Sequence, residues 1–223
     1  MAFVVAIDGP AGAGKSTIAK LVAKRFHLNY INTGAMYRAI TYAAIKNEIS
    51  HECVEELCSM IDELKIEFKG ESLYLNDKDI TEDLCLPEIA KKVSFYASIP
   101  EIRKMLVKQQ RRIAENSSVI MDGRDIGTVV LKDAPFKFYL TASADKRAAR
   151  RYLELQEKGI EVDYAKILHD IKQRDHIDMN RDVDPLRKAE DAIEVDTSDM
   201  NIEEVVEKLS FIINNNLNHE ISQ

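Results

Sequence analysis

The chain has 223 residues, 45% of them hydrophobic and 31% charged, with a formal net charge of −7. That length and composition fit one folded domain with room for a smaller insertion. The acidic balance argues against a general nucleic-acid binder, although a local cluster of arginines can still hold a small phosphorylated ligand. Cys53, Cys58 and Cys85 are odd in number, scattered and without a Cys-x-x-Cys pair. They argue against a disulfide framework or a zinc site and read as ordinary buried or half-buried thiols. The opening MAFVVAIDGP lacks the basic start and long apolar stretch of a signal peptide, and no apolar run approaches a membrane span. A cytoplasmic protein with no membrane partner is expected.

Phe3 to Ile7 is a continuous apolar run, as in a strand buried on both faces of a parallel sheet. Thr17 to Phe26 follows at helical spacing through Ile18, Leu21, Val22 and Phe26. A short strand at Tyr30 and Ile31 and a helix over Gly34–Lys46 complete a βαβα opening, which favours an α/β fold with a parallel sheet. From Leu64 the pattern alternates apolar and polar, with turns at Lys69-Gly70-Glu71 and Asn76-Asp77. This reads as a small antiparallel meander, placed in an insertion over residues 62–100. The α/β rhythm returns with a helix over Ile102–Glu115, strands at Ser118–Asp122, "FKFYLTA" and "AIEVDTS", and a helix over Asn201–Asn214. Between Ala144 and Asp184 a charged helical pair breaks around "EKGIEVD", and the polar tail "NNNLNHEISQ" is expected to fray.

The stretch "IDGPAGAGKST" carries the clearest chemistry. Gly9-Pro10-Ala11-Gly12-Ala13-Gly14-Lys15-Ser16 fits G-x-x-x-x-G-K-[ST], with an apolar strand before it and an amphipathic helix after it. The glycines let the backbone wrap an anion, successive N–H groups point at phosphate oxygens, and the helix start adds its positive dipole end. Lys15 supplies a mobile charge for the terminal phosphates, and the Ser16 hydroxyl a ligand for Mg²⁺. A nucleoside triphosphate is the expected occupant.

The loop alone does not say where the phosphoryl group goes. No Asn-Lys-x-Asp for guanine is present, and the strand-end acid in "VIMDGRD" comes without a helicase-like pattern. Arginines in candidate loops instead suit a kinase with a phosphorylated acceptor, because two anionic substrates must be brought together and a guanidinium grips phosphate with a planar fork. The candidates are Arg38, Arg124, Arg147, Arg150, Arg151, Arg174 and Arg181. Each also has a local reading. Arg38 is a solvated helix charge, Arg147 and Arg151 pair with Asp145 or Glu154, and Arg174 pairs with Asp170 or Asp178. Arg124 stands apart, since it follows a buried strand at the sheet edge where α/β folds bind ligands. The basic helix "KMLVKQQRR" reads as a solvated face and not as a nucleic-acid site.

"IDGPAGAGKST", "NTGAMYRA", "MDGRDIGTVV", "RAARR" and "RDHIDMNRDVDPL", in this order, resemble the bacterial cytidylate kinases from the first strand to the last helix. The resemblance implies an α/β P-loop kinase fold with a five-stranded parallel sheet flanked by helices. The core spans 1–61 and 101–223, a nucleotide-monophosphate-binding insert spans 62–100, and a short lid lies near 154–166. It implies transfer of the γ-phosphoryl of ATP to CMP and dCMP with Mg²⁺, in a protein expected to be monomeric. Gly9 to Thr17 would hold ATP phosphates, with Lys15 on the transferred group. Thr33, Tyr37 and Arg38 would face the acceptor nucleotide. Ser94, Arg103 and Asp125 would contact cytosine, Arg124 and Arg181 the acceptor phosphate or base side, and Arg174 and Asp178 the sugar region. Arg147 and Arg151 would close over ATP from the lid. Another acceptor such as UMP, or a non-catalytic ATP-binding regulator, are the alternatives. Two positions depart from the family pattern. Asn32 replaces the usual Asp before Thr-Gly-Ala. Asp184 replaces a small residue and adds negative charge near Arg181, where little effect is expected.

Overall fold

The computed structural model describes residues 3–221, with side chains of the last helix described as far as 217. The elements in chain order are β1 (Val4–Asp8), α1 (Lys15–Phe26), β2 (Asn29–Asn32), α2 (Thr33–Lys46) and α3 (Val54–Asp62). Then come β3 (Ile66–Lys69), β4 (Ser72–Leu75), β5 (Lys78–Asp79), α4 (Pro87–Ala97) and α5 (Pro100–Glu115). The remainder is β6 (Val119–Gly123), a π-helical turn (Ile126–Val130), β7 (Phe136–Thr141), α6 (Ala144–Glu157), α7 (Tyr164–Asn180), β8 (Ile193–Asp196) and α8 (Ile202–Ile221).

β1 is the middle strand of a parallel five-stranded sheet in the order β2-β6-β1-β7-β8. Its residues alternate between two cores, as the period of a strand requires. Val5 and Ile7 join Ile120, Phe138, Ile18, Val22, Leu209 and Ile213 on the face covered by α1 and α8. Ala6 joins Val119, Met121, Val107, Ala114, Ile126 and Val130 on the face covered by α5 and the π-turn. The chain leaves β1 toward β2 on one side, whereas β6 connects across β1 to β7 on the other. The carboxyl ends of β1, β6 and β7 therefore border the crevice in which such sheets bind ligands.

A separate antiparallel sheet, β3-β4-β5, bears on α2. Leu73, Leu75, Ile80 and Ile89 pack against Ala35, Ala39, Tyr42 and Ala43, whose small side chains let the two layers approach. Asn76 and Asp77 form the two-residue turn between β4 and β5 with φ of 48° and 65°, the left-handed pair of a type I′ hairpin turn. The opposite side of α2 packs Met36, Tyr37 and Ile40 against α3, α4 and α5 through Leu57, Val93, Ile102 and Leu106.

Three expectations change. Cys53 and Cys85 are exposed and only Cys58 is half-buried, because they lie on the polar sides of short surface segments and not under a core. Residues 62–100 hold a further helix, α4, beside the meander, started by Pro87 at its first position. The last helix continues past Asn214 to Ile221, while residues 222–223 of the tail lie outside the described residues. Among the described residues no helix is long and apolar enough to cross a membrane.

Asn32 sits between β2 and α2, where its Oδ1 accepts from Ala35 N at 2.8 Å and caps the helix. Asp would do the same. Asn32→Asp is therefore expected to leave stability unchanged, and Asn32→Ala to lower it by about 1 kcal/mol. Urea denaturation of both variants checks this.

Candidate active site

The site begins where β1 ends. Gly9 has φ of 146°, and a Cβ there would lie 1.9 Å from the Leu140 carbonyl oxygen, so β7 leaves no room for a side chain. The loop then turns through Gly12 and Gly14, both with positive φ, into the uncapped start of α1. Those first N–H groups have no partner within the helix and are free for an anion. Lys15 is buried at the loop mouth and its Nζ donates to Pro10 O at 2.8 Å. Burial, helped by Arg124, lowers its pKa well below that of an ordinary lysine. An anion against Lys15 would reverse that trend.

Two aspartates at strand ends tie the loop to its surroundings. Asp8, 3% exposed, accepts from Ile126 N at 2.8 Å and Gly127 N at 2.7 Å. It thereby fixes the segment after β6 that carries Arg124 and Asp125. Asp122, at the end of β6, accepts from Ser16 Oγ and from Tyr30 Oη, each at 2.8 Å. Thr33 Oγ1 donates to the Asp122 carbonyl at 2.7 Å. Burial and the neighbouring Asp122 carboxylate raise the Tyr30 pKa, so its phenol stays a donor.

Around this point the cleft collects charge. Lys15, Arg38, Arg103, Arg124, Arg174 and Arg181 line it, against Asp122, Asp125 and Asp178. Six cations facing three carboxylates give a positive surplus in a chain of net charge −7. Arg124 Nε donates to Asp178 Oδ2 at 2.8 Å. Among the described residues Arg174 has no such partner. Its Nε is buried without a hydrogen bond, and burial together with Arg124 pushes its pKa down to about 10. Burial likewise lowers that of Arg38. Half-buried and buried cations that outnumber their carboxylates are a site suited to an anion.

The far end of the cleft is different. Val93, Ser94 and Ala97 of α4 face Tyr37, Arg103, Asp125 and Arg181. Arg103, 1% exposed, donates to the Asp125 carboxylate, to Ala97 O at 3.1 Å and to Asp184 Oδ2 at 3.1 Å. Burial raises the Asp125 pKa while Arg103 and Arg181 oppose the rise. Tyr37 Oη is buried and unpartnered. Apolar Val93 and Ala97 beside these donors and acceptors give this end the character of a base pocket.

A sequence model of the family described as cytidylate kinase matches residues 5–215. The chain belongs to the cytidylate kinase family. It is 61% identical over 206 residues to a cytidylate kinase of Clostridium perfringens strain SM101, covering 92% of this chain and 95% of that one. It is 57% identical over 203 residues to the cytidylate kinase of Clostridium acetobutylicum, covering 91% and 94%. The solved structure of an uncharacterised protein from Eubacterium ventriosum shares the fold at a TM-score of 0.52 and 15% identity, covering 96% of this chain and 99% of that one.

Set against the residues that the cytidylate kinase resemblance singles out, the cleft brings most of them together. Ala11, Gly12, Lys15, Ser16, Thr33, Tyr37, Arg38, Ser94, Arg103, Arg124, Asp125, Arg174, Asp178 and Arg181 line one cavity. Gly9, Pro10, Ala13 and Gly14 shape the loop, and Thr17 is exposed outside that lining. Arg147 is not on an open lid. It is 5% exposed and donates to Asp175 with two nitrogens at 3.1 and 2.6 Å, to Ala11 O at 2.9 Å and to Ala142 O at 2.9 Å. It braces the phosphate loop, and its partner is neither Asp145 nor Glu154. Arg151 is exposed and pairs with Glu154, as local spacing suggests. Asp178 pairs with Arg124 and not with Arg174. Asp184 meets Arg103 through its carboxylate, whereas Arg181 donates to its backbone carbonyl. Asp8, Tyr30, Asp122 and Asp175 also serve the site, although no motif in the sequence singles them out. An acid closing each of two apolar strands was the available signal for Asp8 and Asp122.

The donor set around Ser16 fits Mg²⁺. One buried carboxylate and one hydroxyl, both hard oxygen ligands, share the mouth of the phosphate loop. Among the described residues no cluster of three or more acidic, His or Cys side chains forms a cage.

Burial raises the Asp8 carboxyl from its ordinary 3.8 to about 7, against the two backbone donors that favour its charged form. Between about pH 4 and pH 7 the folded protein then binds more protons at Asp8 than the unfolded chain does. Its contribution to stability therefore declines as pH rises, by roughly 4 kcal/mol in all. Asp8→Asn removes this decline. Denaturation across that window should show the variant gaining on the wild type as pH rises, and a difference independent of pH contradicts the assignment.

Proposed function

We propose that this chain transfers the γ-phosphoryl group of ATP to CMP and dCMP, giving CDP or dCDP and ADP. The carrying observation is the single cleft that runs from the phosphate loop, through a surplus of largely half-buried cations, to a pocket of hydrogen-bonding groups. Membership of the cytidylate kinase family supports the same reading.

The loop from Gly9 to Gly14 and the start of α1 take the ATP phosphates, with Lys15 on the group to be transferred. Ser16 and Asp122 would hold Mg²⁺, which neutralises charge on the donor phosphates when bound. Arg38, Arg124 and Arg174 take the acceptor phosphate. An ionised oxygen of that phosphate attacks the γ-phosphorus, the bond from that phosphorus to the β,γ-bridging oxygen breaks, and ADP leaves with the electron pair. The attacking oxygen is ionised at neutral pH, so no general base is required. Catalysis rests on positioning and on charge stabilisation by Lys15 and the arginines.

Ser94, Arg103 and Asp125 read the cytosine edge, with Tyr37 and Thr33 lining the approach and Asp178 and Arg181 closing the sugar and base side. An aspartate accepts from the exocyclic amine of cytosine, whereas a uracil carbonyl at the same place meets a carboxylate. Residues 62–100 form the acceptor-side insert, and residues 154–166, from the end of α6 into α7, form a lid that closes over ATP and brings Arg151 inward. Water is excluded at closure, which protects the phosphoryl group from hydrolysis. The protein works as a cytoplasmic monomer without nucleic-acid or membrane partners.

A coupled assay of ADP release, with ATP, Mg²⁺ and each of CMP, dCMP, UMP, AMP and GMP, tests this. Turnover with CMP and dCMP should exceed that with the others by at least about tenfold. Preference for another nucleotide overturns the acceptor assignment. Binding of ATP without acceptor-dependent release of ADP marks a nucleotide-binding regulator instead.

A further inference from the structure

One hydroxyl that does not line the cleft reaches a group that does. In the parallel pairing of β2 with β6, Asn32 stands opposite Asp122 and Tyr30 opposite Ile120. Residues two apart share a face of a strand, so Tyr30 and Asp122 are diagonal neighbours on one side of the sheet. The Tyr30 ring spans that step, and its Oη donates to Asp122 Oδ1 at 2.8 Å. Ser16 Oγ, from the first turn of α1, donates to the other oxygen, Oδ2, at 2.8 Å. Among the described residues these are the two donors to that carboxylate. Both are neutral hydroxyls, so it keeps its charge for a cation. Ser16, Thr33 and Asp122 line the cleft, whereas Tyr30 does not. Its ring packs beside the core under α1, where Lys20 Nζ stands 5.9 Å from the ring centroid.

We infer that Tyr30 is a positioning residue for the metal site, which fixes the Asp122 carboxylate so that Ser16 offers a cation its oxygen lone pairs and not its proton. The inference rests on the reading that Ser16 and Asp122 hold Mg²⁺ with the nucleotide. A serine hydroxyl has one proton to give. Ser16 gives it to Asp122 Oδ2, so only lone pairs are left for a further partner, and such an oxygen suits a cation. That commitment is only as firm as the carboxylate that receives the proton. The terminal torsion of an aspartate is soft, with broad wells. With Oδ1 free, the carboxylate would turn, and the Ser16 proton could pass to a phosphate oxygen instead. Tyr30 removes that freedom by holding Oδ1 from the far side. Thr33 holds the backbone of the same residue through its carbonyl, so Asp122 is fixed from three elements. Mg²⁺ demands near-ideal geometry, which makes it sensitive to a loosened ligand. Groups behind the ligands are worth about 10–100-fold in metal affinity. Burial and the adjacent carboxylate keep the Tyr30 phenol protonated, so its hydrogen bond persists across the neutral range.

Tyr30→Phe tests this, because it keeps the ring and its packing and removes only the hydroxyl. The probe is Mn²⁺, a cation that takes the same oxygen ligands as Mg²⁺. Its binding to the protein–ADP complex is followed by the loss of the free-ion electron spin resonance signal. The Mn²⁺ affinity of the complex should fall about tenfold, while calorimetric binding of metal-free ADP and of CMP changes less than about twofold. In an Asp122→Asn background the same substitution should change Mn²⁺ affinity by less than about twofold, because its effect passes through that carboxylate. A merely structural role would weaken metal-free ADP binding along with metal binding, and that result overturns the inference. So does an unchanged Mn²⁺ affinity in Tyr30→Phe, or a loss that persists in full without the Asp122 carboxylate. A wild-type complex that binds Mn²⁺ no better than free ADP does would overturn the assignment of the metal to Ser16 and Asp122 instead, so the two failures are distinguishable.

Discussion

Positive charge gathered in a half-buried cleft shapes the whole molecule. Lys15, Arg38, Arg124 and Arg174 converge on the carboxyl edge of the parallel sheet, and Asp122 and Asp178 only partly compensate them. Burying a cation without a partner is costly, and the lowered pKa values of Lys15, Arg38 and Arg174 are the same cost seen through titration. A fold tolerates such a cluster only with a rigid surround. Here that surround is a central strand apolar up to its final Asp8, two packed faces and a set of ion pairs that each fix one arginine.

The ion pairs also divide the labour. Arg147 and Asp175 brace the phosphate loop from beneath, Asp178 aims Arg124, and Asp125 and Asp184 clamp Arg103. Arg174 is left with a buried, unpartnered Nε. Asp8 and Asp122 join the two halves of the cleft. Asp8 belongs to the donor strand but holds the backbone that presents Arg124 and Asp125. Asp122 belongs to the acceptor-side strand but accepts from Ser16 at the start of α1. A displacement of either loop is therefore felt at the other.

Much of this is legible in the residues. The run Phe3–Ile7 followed by the glycine loop and Lys15 gives strand, turn and helix with a mechanism for each. The Asn76-Asp77 turn and the alternation around it give the small meander. What escapes is pairing between distant segments. Helical spacing offers Arg147 the partners Asp145 and Glu154, whereas the fold supplies Asp175 from α7, at a separation no local rule spans. The same holds for Arg124 with Asp178, and for Arg103 with Asp184. Helix α4 escapes although Ile89, Val93 and Tyr96 stand at helical spacing, because the alternating pattern that precedes it sets the reading of residues 62–100. Exposure of Cys53 and Cys85 escapes because a thiol carries no sign of which side of a short surface segment it takes.

The cleft holds cations at a cost to the protein's own stability because an anionic acceptor needs them. Arg174→Met tests it most directly, by thermal unfolding with and without CMP. The methionine keeps an unbranched, apolar stem and removes the unpartnered guanidinium. The ligand-free variant should be more stable than the wild type, by about 1–3 kcal/mol, and should have lost the stabilisation CMP gives the wild type. A variant that is less stable without ligand, yet is stabilised by CMP as fully as the wild type, would contradict it.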